Sequence, residues 1–324
     1  MEQEIIYTRD WVGPVFDAIA ELVPDKAILI TDTNVDRDVL TLQRDRIYGA
    51  VDDIITISSG ESAKNLDTLA YVWKRLADAG CTRHSLVINF GGGVVSDLGG
   101  FAAATFKRGI QFVNVPTTLL AMADAAIGGK TGIDFAGYKN EVGAFAPACR
   151  VIMDEGLLST LPERELRSGF AEVVKMALIL NDPIYDELIK EDALHDSELM
   201  RRAIKMAADG KLLIVNSDPY EKGARRMLNF GHTAGHAFES YAESIGKPIS
   251  HGEAVAYGML VALRLSCDRN GYPVKKVDEY EENILKRYYE PLPFGEEAEP
   301  ELQRLMAHDK KNIKNGEINW VLLK

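Results

Sequence analysis

At 324 residues, with 46% hydrophobic and 27% charged side chains, the chain exceeds what one hydrophobic core usually serves and has apolar content enough for two. Its formal net charge of −12 argues against nucleic acid or an anionic membrane as partner, because such surfaces recruit excess Lys and Arg, so an anionic substrate must meet a locally basic pocket. Three widely spaced cysteines without a CxxC pair indicate neither a disulfide framework nor a thiolate zinc site, and an acidic start with no signal-like or membrane-length apolar run predicts a cytosolic protein.

In the first half, short β-type runs alternate with helical patterns, which predicts a parallel sheet covered by helices. Residues 27–30 form the first expected strand, closed by Asp32 and Asn34, where a carboxylate could accept hydrogen bonds from a ribose. Residues 54–57 form the second, closed by Gly60-Glu61-Ser62-Ala63-Lys64. Leu66, Leu69, Ala70, Trp73 and Leu76 then recur at helical spacing, with Gly80 as a stop. After a strand at 86–88 comes Gly91-Gly92-Gly93-Val94-Val95-Ser96-Asp97, leading into an Ala-rich helix. Residues without a Cβ let backbone N–H groups approach a pyrophosphate, and the helix N-terminus adds a favourable dipole. The pattern is not GxGxxG, so a structural turn and a phosphate cradle both remain open from these glycines alone.

A strand at 112–115 is followed by Pro116-Thr117-Thr118-Leu119-Leu120-Ala121, Asp124, Gly128-Gly129-Lys130-Thr131-Gly132 and Lys139-Asn140. Gly-Gly-Lys-Thr lacks the upstream glycine of a P-loop. Lysines in glycine-rich surroundings, inside an acidic protein, suit an anionic substrate, and Lys175, Lys211, Arg225 and Lys310-Lys311 extend that inventory. Residues 151–153 form a last apolar run, after which strand signals nearly vanish. The expected boundary therefore lies near 157, dividing an α/β domain (1–157) from an α-helical one (158–324). Thr160-Leu161-Pro162-Glu163 resembles a capping box for a helix running to about 180, with Glu172 and Lys175 three apart on one face. The acidic stretch 290–300 reads as a solvated loop.

The sharpest indication of a metal is Asn229-Phe230-Gly231-His232-Thr233-Ala234-Gly235-His236, followed by His251, which together hold three of the six histidines. His232 and His236 share one helix face, and Ser250-x-x-Glu253 starts another helix with His251 in its first turn. Two helices would then aim at one point, although an isolated HxxxH is more often coincidence.

Taken in order, these motifs closely resemble the 3-dehydroquinate synthase family, over roughly residues 26 to 323. The resemblance is carried by Gly-Gly-Gly-Val-x-x-Asp at 91 to 97, Lys107-Arg108-Gly109, Pro-Thr-Thr-Leu-Leu-Ala at 116 to 121, Gly-Gly-Lys-Thr-Gly at 128 to 132 and Lys139-Asn140. It continues through Ala171-Glu172-Val173-Val174-Lys175, Leu-Asn-Phe-Gly-His-Thr-x-Gly-His at 228 to 236, and His251-Gly252-Glu253. It implies a Rossmann-like NAD-binding α/β domain, an all-α metal-binding domain and a substrate cleft between them.

The resemblance further implies conversion of 3-deoxy-D-arabino-heptulosonate 7-phosphate to 3-dehydroquinate and phosphate. The steps would be NAD-mediated oxidation, β-elimination, reduction, ring opening and aldol closure. Glu172, His232 and His251 would ligate zinc, with cobalt as an alternative ion, and His236 would stand behind the ligands or relay a proton, and bind substrate, without being a ligand. Lys130, Lys139, Asn140, Lys175, Lys211, Arg225, Asn229 and Lys310 would hold substrate beside Asp124. Among these, His236, Lys130, Lys175, Asp124 and Asn140 would be catalytic. Arg108 would reach a neighbouring subunit's phosphate site, implying a homodimer. Asp32, Asn34, Glu61, Lys64, Gly92, Gly93, Asp97, Thr117, Thr118 and Thr160 would line the NAD site, with Asp124, Lys130 and Lys139.

Departures from the family pattern are Ala125-Ala126 in place of two serines, Asp134 for an asparagine, and Phe145-Ala146-Pro147 for Phe-x-x-Pro. Another sugar phosphate cyclase, or an iron- or zinc-dependent polyol dehydrogenase, are the alternative readings.

Overall fold

The computed structural model describes residues 3–190, 192–307 and 318–324. The chain divides into two units, Met1–Pro162 and Glu163–Lys324. The division falls just past the 3-10 turn Glu155–Thr160, whereas the sequence suggested a division near 157.

In the first unit the apolar runs become the parallel strands β1 (Glu4–Thr8), β2 (Ala27–Asp32), β3 (Asp53–Ile57), β4 (Leu86–Gly91), β5 (Gln111–Pro116) and β8 (Arg150–Asp154), in the order β1-β8-β5-β4-β2-β3. A hairpin of β6 (Lys130–Phe135) and β7 (Tyr138–Phe145) stands between β5 and β8 in the chain. Every residue of β4 is buried, as expected of a central parallel strand with helices on both faces. On one face Phe90 stacks with Trp11, ring centroids 4.2 Å apart, where α1 (Val12–Leu22) begins. On the other, α4 (Gly93–Thr105) lies so close that a Cβ on Gly99 would sit 2.0 Å from Asn89 Oδ1. Between them in sequence are the short α2 (Thr33–Asp38) and α3 (Leu66–Asp78). β2 continues outward to β3 while the chain then crosses back to β4 on β2's other side. The strand order therefore reverses at β2/β4, and open α/β sheets bind ligands beyond the carboxyl ends at such a point.

Three strands went unread in the sequence. β1 is a partly exposed edge strand, and β6–β7 is an antiparallel hairpin whose second strand is almost wholly exposed, so neither has the buried apolar run that identified the others.

The second unit is helical. Its main elements are α5 (Glu163–Leu180), α6 (Ser197–Ser217), α7 (His232–Ser244), α8 (His251–Asn270) and α9 (Glu299–Ala307), and no strand occurs among its described residues. Small residues let three helices meet closely. A Cβ on Gly252 would sit 2.1 Å from the Ser168 carbonyl oxygen of α5, and one on Gly258 would sit 2.0 Å from the Gly231 carbonyl oxygen ahead of α7. The stretch 290–300 is less solvated than expected, because Leu292 and Phe294 pack on the cluster of Ala234, Phe238, Ala254 and Leu302. Among the described residues no helix is long and apolar enough to cross a membrane.

Candidate active site

In the helical unit Glu172, His232 and His251 come from three different helices, and one ligand atom of each lies within 4.8 Å of the others. Each is placed by a local rule. Glu172 occupies the continuously buried stretch of α5. His232 opens α7 after Gly231, whose φ of 78° suits glycine. His251 opens α8 behind a complete capping box of Ser250 and Glu253.

Glu172 Oε1 is 3.5 Å from His232 Nε2 and 3.4 Å from His251 Nε2. Ligands about 2.1 Å from a tetrahedral ion are about 3.4 Å apart, so these separations suit one shared ion. Glu172 Oε1 is buried without an aligned hydrogen bond, a costly state that a cation relieves. Its other oxygen, Oε2, forms an ion pair with Lys175, and both side chains are 1% exposed.

The far sides of the imidazoles are also engaged. His232 Nδ1 lies 3.2 Å from the Phe230 carbonyl oxygen, and His251 Nδ1 lies 3.4 Å from Glu239 Oε2. A carbonyl or carboxylate there holds the proton on Nδ1 and leaves the Nε2 lone pair for a metal. Burial works to raise the Glu172 pKa, but Lys175 and His251 outweigh it and hold the carboxyl at about 2. Burial likewise opposes charge on His251, yet Glu172 and Glu239 overcome it and raise its pKa to about 10. His236 packs edge-on against His232 at 5.3 Å between ring centroids and lies 6.2 Å from His251.

Glu239 escaped the sequence reading. Its signal was present, since Glu239 follows His232 by seven and His236 by three, the spacing of one helix face. The Phe230 carbonyl carries no side-chain signal at all.

Lys175, Lys211 and Arg225 are buried, an unusual state for basic groups that calls for partners. α6 carries Lys211 and packs on α5 and on the turn Ala224–Asn229, which carries Arg225 and Asn229. Arg225 Nη1 donates to the Pro219 carbonyl at 2.6 Å, and Asn229 Nδ2 donates to Glu221 at 2.6 Å. Lys310 lies outside the described residues.

In the α/β unit the expected nucleotide residues gather at the strand-order reversal. Asp32 ends β2, where its Oδ1 accepts from the N–H groups of Asn34 and Val35 at 2.9 and 3.1 Å and so caps α2. Gly92 caps α4 without a side-chain hydrogen bond, leaving that role to an anion. A Cβ on Gly92 would come within 3.0 Å of Thr118 Cγ2, so a larger residue would fill the cradle. Thr117 Oγ1, at the end of β5, is buried with no hydrogen-bond partner.

Lys64 Nζ sits 2.7 Å from Asp97, 3.5 Å from Glu61 and 2.5 Å from Asn140 Oδ1. Burial opposes its charge, but Asp97 and Glu61 outweigh that and raise its pKa above the ordinary lysine value. Asp134, one of the departures, accepts from the Asn140 N–H at 2.8 Å and fixes that residue's left-handed turn at φ 52°. Asp124 is half-buried in a π-helical turn, while Lys130 and Lys139 are exposed on the hairpin. Two residues stand apart in the topology. Thr160 is exposed at the end of the turn after β8, which is two strands from β4. Arg108 is exposed past the end of α4 opposite Gly93.

A strand-order reversal with a capless helix N-terminus, in a chain that also holds a dihistidine-carboxylate centre, defines a nucleotide- and metal-using enzyme class. Residues 54–168 match the family model 3-dehydroquinate synthase N-terminal, and residues 169–312 match 3-dehydroquinate synthase C-terminal. The chain is 41% identical to the 3-dehydroquinate synthase of Parabacteroides distasonis, covering 100% of this chain and 91% of that one. It is 40% identical to that of Halorhodospira halophila, covering 98% and 89%. Among solved structures, a 2-deoxy-scyllo-inosose synthase complexed with carbaglucose-6-phosphate, NAD+ and Co2+ superposes with a TM-score of 0.83 at 27% identity, over 95% of this chain and 84% of that one. The chain belongs to the 3-dehydroquinate synthase family.

Proposed function

We propose that the protein is a 3-dehydroquinate synthase, which converts 3-deoxy-D-arabino-heptulosonate 7-phosphate to 3-dehydroquinate and phosphate with NAD and a divalent ion, zinc or cobalt. The observation that carries this reading is the buried Glu172 Oε1 with no aligned hydrogen bond, set 3.5 and 3.4 Å from two imidazole nitrogens. Family membership and relatives at 41 and 40% identity support the same substrate.

Glu172, His232 and His251 would hold the ion, and Asp32, Asn34, Glu61, Lys64, Gly92, Gly93, Asp97, Thr117, Thr118 and Thr160 would serve the nucleotide. Once bound, the ion supplies Lewis acidity and the nucleotide accepts and returns a hydride within one turnover. The chain's own groups bind and orient. Lys130, Lys139, Asn140, Lys175, Lys211, Arg225, Asn229 and Lys310 grip carboxylate, phosphate and hydroxyls, an orientation effect worth several kcal/mol. Their donors hold one conformer of the substrate, whose own phosphate can take the proton during its elimination, so no strong protein base is required. His236, edge-on to His232, would relay a proton at a ring nitrogen, and Asp124 would act beside the substrate-binding groups.

We place the protein in the cytoplasm, in keeping with free Cys81, Cys149 and Cys267, and infer a homodimer. The dimer is supported by Arg108. It is exposed at the opposite end of α4 from the glycine turn, in a corner where Lys107 and Arg108 have positive φ (52° and 69°), the kind of strained backbone that collects at functional sites.

The test supplies the heptulosonate phosphate with catalytic NAD and zinc and follows phosphate and NADH together. Phosphate should appear in stoichiometric yield without net NADH. Stoichiometric NADH without phosphate would reject the synthase in favour of a dehydrogenase. A Glu172→Gln variant should lose metal along with turnover, and normal metal content there would remove Glu172 from the coordination sphere.

A further inference from the structure

We propose that Gln3 and Asn114 are positioning residues for the segment that carries Asp124 and ends at Lys130, an inference that rests on the functional reading of those two groups. Gln3 precedes β1 and is 6% exposed. Its amide is used at both ends: Nε2 donates to the Ala126 carbonyl at 3.4 Å and Oε1 accepts from the Gly128 N–H at 3.0 Å. Asn114 of β5 donates through Nδ2 to the same carbonyl at 3.0 Å. Asn114 Oδ1 in turn accepts from Asn89 Nδ2 at 2.9 Å, across the β4–β5 register that pairs the two residues.

The Ala126 carbonyl is thus gripped by two side-chain amides, both anchored in or beside the sheet. The gripped segment has a shape it would not hold unaided. Ala121–Ala125 is a π-helical turn, a rare form concentrated at functional sites. Gly128 and Gly129 follow at φ 94° and 67°, and a Cβ on Gly129 would meet Pro147 N at 2.7 Å. Asp124 lies two residues before the gripped carbonyl and Lys130 two residues after the gripped N–H, so the clamp fixes the spacing between a carboxylate and an ammonium. A primary amide offers a donor and an acceptor side by side at any pH, which a carboxyl does only when protonated. A leucine would take the side-chain acceptor from the Gly128 N–H and one of the two donors from the Ala126 carbonyl, and a carboxylate would set an acceptor against the Ala126 oxygen.

The experiment is steady-state kinetics and hydrogen exchange on the full-length, zinc- and NAD-loaded Gln3→Leu and Gln3→Glu variants. In Gln3→Leu, exchange across 121–130 should accelerate and kcat should fall about tenfold or more, since a misplacement near 1 Å can cost about a hundredfold, with zinc content unchanged. Gln3→Glu keeps the acceptor for Gly128 and regains a donor for Ala126 only when its carboxyl is protonated. Its rate relative to wild type should therefore climb as pH falls, a trend that mere space-filling would not produce. Wild-type kcat in a folded Gln3→Leu, or a Gln3→Glu to wild-type ratio that stays flat with pH, overturns the proposal. If Gln3→Leu does not fold, the Gln3→Glu ratio decides. Absence of phosphate release by the wild type would instead overturn the functional reading, and unchanged exchange across 121–130 in the variants would then refute the clamp by itself.

Discussion

Glu172 serves three neighbours with its two oxygens: Oε1 faces both imidazoles and Oε2 faces Lys175. This division explains why so buried a carboxylate stays ionised, and it sets the pH behaviour of the metal-free protein. Its pKa of about 2 lies below the ordinary 4.5, so its contribution to stability is complete above 4.5 and is lost as pH falls towards 2. His251 has the opposite sign. With a pKa of about 10 against an ordinary 6.5, its contribution is complete below 6.5 and disappears as pH rises through 10. A metal must displace that histidine proton, so ion affinity should rise about tenfold per pH unit through neutrality. Titration calorimetry in buffers of different ionisation enthalpy would test this, and zinc uptake that releases no proton near pH 7.5 would contradict it. Glu239 offers a second test at this scale. Glu239→Gln should weaken zinc binding by about 10- to 100-fold, the usual effect of losing a carboxylate behind a ligating histidine. An unchanged zinc affinity by chelator competition would mean that the 3.4 Å contact does no tuning.

The helices owe their convergence to glycine. α8 begins with His251-Gly252, and Gly252 lets the backbone lie on Ser168, whose hydroxyl accepts the Gly252 N–H at 3.1 Å. Any side chain there drives α8 away from α5 and His251 away from Glu172. Gly252→Ala should cost about 1–3 kcal/mol by overpacking and should also reduce zinc affinity, because the same displacement opens the triad. Denaturant melts with and without zinc would separate the two effects; a variant that loses stability yet binds zinc normally would show that the helix start adjusts locally. In the other unit, Gly99 plays the corresponding part by seating α4 on Asn89. That contact places Gly92 and Gly93 where strand order reverses, so the turn that the glycines alone left open between structural turn and phosphate cradle gains a topological reason for the second reading.

At the scale of the whole molecule, two units with different tasks imply two separable responses to ligand. Zinc at a hundred times its Kd should stabilise what it binds by about 2.7 kcal/mol. Hydrogen exchange should locate that protection on α5, α7 and α8, whereas NAD should protect β2–α2 and β4–α4. Zinc-induced protection confined to the parallel sheet would overturn the assignment of tasks.

Much of this organisation was legible in the chain. Five of the six parallel strands, the four internal ones and β3 at an edge, were readable because a parallel sheet covered by helices favours continuous apolar runs, and those runs cease before the helical unit begins at Glu163. His232, His236 and His251 were readable from helical spacing and a capping signature, and the family motifs named their partners.

What the sequence could not display was anything made by contact at a distance. β1 carries Ile5-Ile6-Tyr7 but is only partly buried, and the β6–β7 hairpin is broken by glycines and largely exposed, so neither reads as a covered strand. The supports behind the imidazoles are a carbonyl with no side-chain signature and a glutamate whose helical spacing was visible but whose contact with His251 was not. Gln3 is 123 residues from the carbonyl it grips. Composition, periodicity and motif order pointed to the family and to the groups proposed for its site, because those signals lie in residues near one another along the chain. Tertiary packing decided which oxygen meets which nitrogen, because hydrogen bonds and metal geometry depend on separations of a few tenths of an ångström that only the folded backbone sets.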